Sequence, residues 1–388
     1  MFFTIIGLAQ PFFALYAQEL GASTLTIGLL VTIRALAPLV IALPCGQLID
    51  SVGPARMLVF GMAFLVASLV VSVLADGVPL LVLSQVLLGT SIVISASSLQ
   101  VLVSTGGAEV RNASINRYSM WMSGGSAIGP VLGGLVVAAF VEPVTGHRAA
   151  FAAAAAAALG FLILLLASAR RLPGPRAGAR PAREVFSASG VVDSYRQGFG
   201  LAVHRPVQFG LGATFIIMYM QSFYTSFLPL LLDHFGYAAP AIGLVLAVHG
   251  AAAMASRFML GAVMRRASLR AILTVAGFVA SVCLLATPFA GPSLPAVILV
   301  VAVMGAAVGL NLPVSVMIMV DAVGEEERGK LMGLRLLANR VAQMLSPAMF
   351  GALGAVFGLS AAFSGGGAFL LASMVGFSAV VGRDPGRR

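Results

Sequence analysis

A handful of arginines, one histidine and a few amides sit inside stretches that are otherwise apolar. These are the residues of this chain that could do chemistry. Arg34 lies nine residues into an apolar run that begins near residue 25, about 14 Å from its start at 1.5 Å per residue. His249 lies at the same depth in a later run. Arg335, Asn339 and Gln343 recur at i, i+4 and i+8, the spacing of one polar stripe on a helix. Counted from Arg328, Asn339 is about 16 Å in. Arg340 points about 140° away from Arg335 and is expected to pack between helices. Gln10, Gln221, Tyr224 and Asn311 put amide or hydroxyl groups into three further runs. Arg257 lies near the end of its run, where a long basic side chain snorkels to water. The chemistry on offer is recognition by charge and hydrogen bond. No Asp or Glu lies deep in any run; Glu19, Asp76, Asp193 and Asp233 fall in loops or at ends. A site built from Arg34 and Arg335 therefore suits an anion or a neutral polar molecule better than a cation. His249 is the buried side chain that titrates near neutral pH, and so the one placed to carry a coupling proton. Catalysis needs a convergent acid/base or metal set, and four scattered histidines do not supply one. No enzyme, cofactor or metal is expected. Cys45 and Cys283 lie within apolar runs and read as small buried hydrophobes.

The elements that must position these residues follow from composition. Hydrophobic residues make up 60% of the 388 and charged residues 9%, against about 25% charged in a soluble domain. Such a chain could not cover its own surface in water; lipid as the solvent removes the problem. At about 20 apolar residues per crossing, the sequence divides into twelve spans. Six lie near 2–18, 25–47, 56–75, 79–102, 117–140 and 149–169. Six more lie near 207–232, 240–262, 270–289, 294–318, 331–356 and 360–381. Breaks fall at Gly, Pro and charged clusters such as Asp76–Pro79. The alanine-rich stretch Ala152–Ala158 reads as plain helix. Met1–Ala17 lacks the basic start of a signal peptide and is taken as the first span.

Placing both termini in the cytoplasm puts most of the 23 basic residues in cytoplasmic loops and helix ends, with Arg148 alone outside. Lys/Arg excess in cytoplasmic loops sets topology, so this is the expected orientation, in a bacterial inner membrane. It also accounts for the net charge of +10 without nucleic acid, since basic loops face anionic headgroups. The Pro-, Gly- and Arg-rich stretch 170–206 reads as a cytoplasmic connector, within which Val185–Phe199 has the apolar spacing of a short interfacial helix.

The halves on either side of that connector repeat one another. Ile27-Gly28-Leu29 returns as Ile242-Gly243-Leu244, and Gly21 and Gly46 return as Gly236 and Gly261, all at an offset of 215. The offset then becomes 217, matching Arg111 to Arg328 and Gly129-Pro130 to Ser346-Pro347. Two six-helix units from one duplication, with the substrate site between them, is a transporter build. The offset also places the expected start of the first helix about eight residues before Met1, so that helix is read as shortened. The domains are thus 1–169, a connector at 170–206, and 207–388.

Two motifs carry a resemblance. Gly46-Gln47-Leu48-Ile49-Asp50-Ser51-Val52-Gly53, followed by Arg56, falls between spans 2 and 3. It resembles the loop signature of the major facilitator superfamily, with Ser51 standing where that family has a base. Gly46 lets helices approach, Asp50 can accept from a helix start or a basic side chain, and Gly53 makes the turn. In the family this loop latches one conformation. The second motif, Gly125, Gly129, Pro130, Gly133 and Gly134 in span 5, resembles the family's antiporter motif. Small residues at that spacing allow close backbone contact. Gln85, four residues before Gly89, stands where the drug/proton antiporters carry Arg. The resemblance implies an all-α membrane protein of twelve transmembrane helices in two pseudo-symmetric six-helix bundles, the major facilitator fold. It implies a monomeric secondary transporter of a small organic molecule working by alternating access, with efflux favoured by the span 5 motif. Uptake of a small organic anion is the alternative, and a non-transporting sensor on the same fold is the alternative of another class.

Overall fold

The structure, a computed structural model, describes residues 1–103, 108–168, 200–320, 322 and 328–381. The first crossing is made of two short helices, α1 (Phe2–Ala9) and α2 (Phe13–Glu19), joined by a single 3-10 turn at Gln10–Phe12. Eleven longer helices follow: α3 (Thr24–Val52), α4 (Pro54–Leu74), α5 (Val78–Val103), α6 (Ala108–Ala138), α7 (Pro143–Ser168), α8 (Arg205–His234), α9 (Ala239–Met264), α10 (Leu269–Ala290), α11 (Leu294–Val320), α12 (Arg328–Phe357) and α13 (Leu359–Val381). Helices satisfy their own backbone polar groups, which is what hydrocarbon demands of a spanning segment. Among the described residues, nine helical segments are long and apolar enough to cross a membrane by themselves. Two of the others depart for visible reasons. The first crossing is split, and α12 carries Arg328, Lys330, Arg335 and Arg340.

The first span was expected as one helix over 2–18; Pro11 breaks it, because proline removes a backbone donor and crowds the preceding turn. The loop signature also differs from expectation. Gly46 to Val52 are helical, and the turn is Gly53 alone, at φ 96°. Nothing before Gly53-Pro54 stops α3, so the motif forms the last turns of a helix. The side chains of Gly46 and Asp50 lie outside the described residues, as do 169–199, which hold most of the connector and Val185–Phe199. Arg56 is exposed at the start of α4.

Two bundles are built on one plan. In the first, α4 packs on α5 and α7, α3 on α5, and α1 on α6; in the second, α10 packs on α11 and α13, α9 on α11, and α8 on α12. Each pairing in one bundle is the repeat image of a pairing in the other. The turns repeat too: Gly21 and Gly236, 215 residues apart, both close their turns at positive φ, 83° and 81°. Side-chain-bearing residues rarely adopt that conformation.

The ends of the bundle differ in charge. Arg56, Arg117, Arg205, Arg265, Arg266 and Arg270 emerge on the side of the α1 start, here the basic side. The opposite, far side carries Glu19, Asp76, Glu142 and Asp233 together with Arg148. There Tyr16 Oη donates to the Ala75 carbonyl at 2.9 Å, and Arg148 donates to the same carbonyl through Nη2 at 2.9 Å and to Tyr16 Oη through Nε at 3.2 Å. In the second bundle Tyr237 Oη donates to the Gly291 carbonyl at 2.8 Å. Each bundle thus ties its own far-side turns together.

Candidate functional site

A cavity of about 480 Å³ lies between the bundles, within the 300–1,000 Å³ typical of small-molecule sites. The broken first crossing contributes Gln10 and Pro11; α3 contributes Arg34, α9 His249 and Arg257, α8 Gln221, and α12 Arg340 and Gln343. Three cationic side chains therefore face one space. Among the described residues lining it there is no Asp or Glu.

Each arginine is held differently. Arg257 is braced: Nη1 donates to Ser123 Oγ on α6 at 2.9 Å and Nε to the Gly309 carbonyl at 3.3 Å. Arg340 Nη1 donates to Gln343 Oε1 at 2.7 Å, a neutral partner. Among the described residues no hydrogen bond or ion pair holds the Arg34 guanidinium, leaving its donor fork to the cavity. Arg34 and His249 are set in place by the same device. A Cβ on Gly89 would run into the Arg34 carbonyl oxygen, and one on Gly305 would run into the His249 carbonyl oxygen. These glycines bring α5 against α3 and α11 against α9 at the two residues that the repeat relates. His249 also lies beside the Tyr224 ring, centroids 5.3 Å apart.

Of the residues expected to line a cavity, Gln10, Arg34, Gln221 and His249 do so. Tyr224, Asn311, Arg335 and Asn339 are buried elsewhere, a difference from the sequence expectation. The reason is rotational. Met218, Gln221, Ser222 and Thr225 define the cavity face of α8, and Tyr224 lies roughly 110° around the helix from the middle of it. On α12 the 140° between Arg335 and Arg340 holds, but the faces are exchanged. Arg340 and Gln343, about 60° apart, look into the cavity, while Arg335 looks into the second bundle and Asn339 is buried off the cavity lining. Arg335 Nη2 donates there to Thr214 Oγ1 and Ser315 Oγ, and Asn311 is fully buried beside them. Arg340 and Arg257, read from sequence as packing and snorkelling residues, are thus cavity residues. For Arg340, the polar neighbour Gln343 at i+3 was the available signal.

The span 5 motif is a packing surface with two sides. A Cβ on Gly125 would lie 2.8 Å from Thr4 Oγ1, one on Gly129 would lie 2.7 Å from Gly7 Cα, and one on Gly133 would meet Leu8, so these three seat α1 on α6. Gly134 and Pro130 face the other bundle: a Cβ on Gly134 would meet Ala239, and one on Gly243 would meet the Pro130 carbonyl. The repeat image of that contact is Gly28 against the Pro347 carbonyl and Gly351, where α3 crosses α12. Thr32 Oγ1 adds a hydrogen bond to the Met344 carbonyl at 3.0 Å. Two symmetry-related helix crossings, rich in glycine, therefore press the bundles together toward the far side.

Fold and site together define a polytopic membrane transporter. The sequence profile described as Major Facilitator Superfamily matches residues 1–294 and 210–388, and the chain belongs to that superfamily. No curated protein sequence matches it. Among solved structures it is similar to a mutant of the nucleoside transporter NupG, with a TM-score of 0.78, 13% identity, and coverage of 97% of this chain and 96% of that one. It is similar to a bacterial homolog of the human lysosomal transporter Spinster, inward-facing and unoccupied (TM-score 0.74, 16% identity, 98% and 92% covered). It is also similar to a mutant of the peptide transporter POT in complex with sulfate (TM-score 0.71, 15% identity, 98% and 93% covered). At these identities the likeness is one of fold.

Proposed function

We propose that this protein carries a small organic anion across the bacterial inner membrane by alternating access, with both termini in the cytoplasm. The observation that carries the reading is the cavity wall: Arg34, Arg257 and Arg340 with no carboxylate among its described lining. A guanidinium pairs with carboxylate or phosphate through two parallel hydrogen bonds. A cationic cargo would meet only like charge. The named cargoes of the similar structures, nucleosides and peptides, are of a size with such a site. The basic side is assigned to the cytoplasm from the Lys/Arg excess there. Export is favoured by the antiporter-like α6 motif. His249, on the cavity wall, is our assignment for a coupling proton, and the transporting unit is taken as a monomer. A sensor on the same fold would need a signalling surface, and no feature of the described residues favours that reading.

The test is ligand-induced thermal stabilisation of the purified protein, comparing organic carboxylates and phosphates with lipophilic cations. Organic anions raise the wild-type midpoint. Arg34→Gln and Arg340→Gln each weaken that binding by about 10- to 100-fold, since a hydrogen bond to a charged group contributes about 1.5–3 kcal/mol. Stabilisation by lipophilic cations, unchanged in both variants, would overturn the anion reading.

A further inference from the structure

The second bundle contains a cationic cluster that the cavity does not use. Arg335 on α12 is 8% exposed. Its Nη2 donates to Thr214 Oγ1 at 3.3 Å and to Ser315 Oγ at 3.4 Å, and its Nε has no hydrogen-bond partner. Thr214 Oγ1 also donates to Asn311 Oδ1 at 3.2 Å and lies 3.3 Å from Ser315 Oγ, and Asn311 Nδ2 donates to the Ala213 carbonyl at 3.4 Å. Asn339, one turn from Arg335, is 9% exposed with Oδ1 unpartnered. None of these five residues lines the cavity.

Two properties set the cluster apart. A buried charge is ordinarily paired, because desolvation costs several kcal/mol. The acidic residues whose side chains are described, Glu19, Asp76, Glu142 and Asp233, all stand on the far side, and none of them pairs with Arg335. Second, the hydrogen bonds that link Arg335, Thr214, Asn311 and Ser315 to one another, and Asn311 to the Ala213 carbonyl, are 3.2–3.4 Å long, against about 2.7–3.0 Å for usual ones. Bonds this long are readily exchanged for shorter ones to a guest. A guanidinium edge, two hydroxyls and side-chain amides are the groups that replace the water shell of a small inorganic anion.

We propose that Arg335, with Thr214, Ser315 and Asn311, binds a halide-sized anion inside the second bundle. That anion supplies Arg335 with a counter-charge that none of the described acidic residues provides, and ties α8, α11 and α12 together behind the cavity wall. The site is separate from the cavity and does not depend on what the cavity carries.

The experiment is thermal unfolding of purified protein in sodium chloride, sodium bromide or sodium gluconate at constant ionic strength. An ion that binds the folded state raises its midpoint by mass action. Wild type shows a saturable upward shift in chloride and bromide over gluconate. Arg335→Gln loses the shift, whereas Arg34→Gln keeps it. Should Arg335→Gln fail to fold, Thr214→Val and Ser315→Ala carry the test, each raising the half-saturating chloride concentration at least tenfold. Crystals soaked in bromide show an anomalous peak beside Arg335. Equal midpoints in chloride and gluconate overturn the proposal. So does a halide shift lost in Arg34→Gln but kept in Arg335→Gln, which places the ion in the cavity.

Discussion

Tyr16 and Arg148 hold the carbonyl of Ala75 between them, with the tyrosine hydroxyl both donating to the carbonyl and accepting from the guanidinium. Tyr16 is fully buried, flanked by His147 and Phe151, so removing its hydroxyl exchanges made hydrogen bonds for none. Tyr16→Phe is expected to destabilise the protein by about 1 kcal/mol, read as a lower midpoint in denaturant titration. All three residues belong to one bundle, so the substitution lowers stability without shifting which side of the transporter is closed. An unchanged midpoint would show that the hydroxyl is not a tie. At this scale the sequence is read well in depth and poorly in direction. The apolar runs locate Arg34, His249 and Arg335 along their helices. Whether a side chain faces the cavity or its own bundle is a rotation about the helix axis, decided by neighbours elsewhere in the chain. Arg335 and Arg340 exchange faces for that reason, while the angle between them is the one the sequence implies.

At the scale of helices, the repeat is a description of contacts as well as of ancestry. Gly28 and Gly243 are repeat partners, as are Pro130 and Pro347. The structure sets Gly28 on the Pro347 carbonyl and Gly243 on the Pro130 carbonyl. The offset of 215–217 is visible in the sequence; the cross-pairing is tertiary and is not. Helix extents show a similar division. Spans read from hydropathy stop where polar residues begin, but α3, α6 and α12 run on past the apolar stretch because nothing there breaks a helix. Pro11 does break one, and it turns Gln10 to the cavity. The two glycine crossings exist only while the bundles are pressed together, so a side chain at either disfavours that state alone. Overpacking costs about 1–3 kcal/mol, or roughly 10- to 100-fold in population. Gly28→Leu and Gly243→Leu are each expected to raise far-side access to the cavity. The reporter is labelling of Gln10→Cys by a membrane-impermeant maleimide applied to the far side of oriented vesicles. Labelling no faster than in the glycine background would mean that the crossings are not the seal.

For the whole molecule, alternating access requires that the bundles separate on the far side once per cycle. Each bundle keeps its own far-side turns tied, through Tyr16 and Arg148 in one and Tyr237 in the other, so each can move as a rigid body. The contacts that must break include those between α3 and α12, between α6 and α9, and between α2 and α8. The first pair offers a place to forbid it. A Cβ on Gly354 would lie 3.0 Å from Thr24 Cγ2, which brings β-carbons at the two positions near the roughly 3.5–4.5 Å that a disulfide needs. The natural cysteines Cys45 and Cys283 are both free and buried, well away from oxidant in the folded protein. In Thr24→Cys/Gly354→Cys, oxidation is expected to reduce flux of a cargo identified in the stabilisation screen to background. Thermal stabilisation by that cargo should remain, because the cavity beside Arg34, Arg257 and Arg340 is untouched by the bond. Reduction should restore flux. Loss of flux together with loss of binding would instead place the damage in the cavity. Undiminished flux in the oxidised protein would mean that the α3–α12 crossing never opens, and that the two bundles do not rock about the site between them.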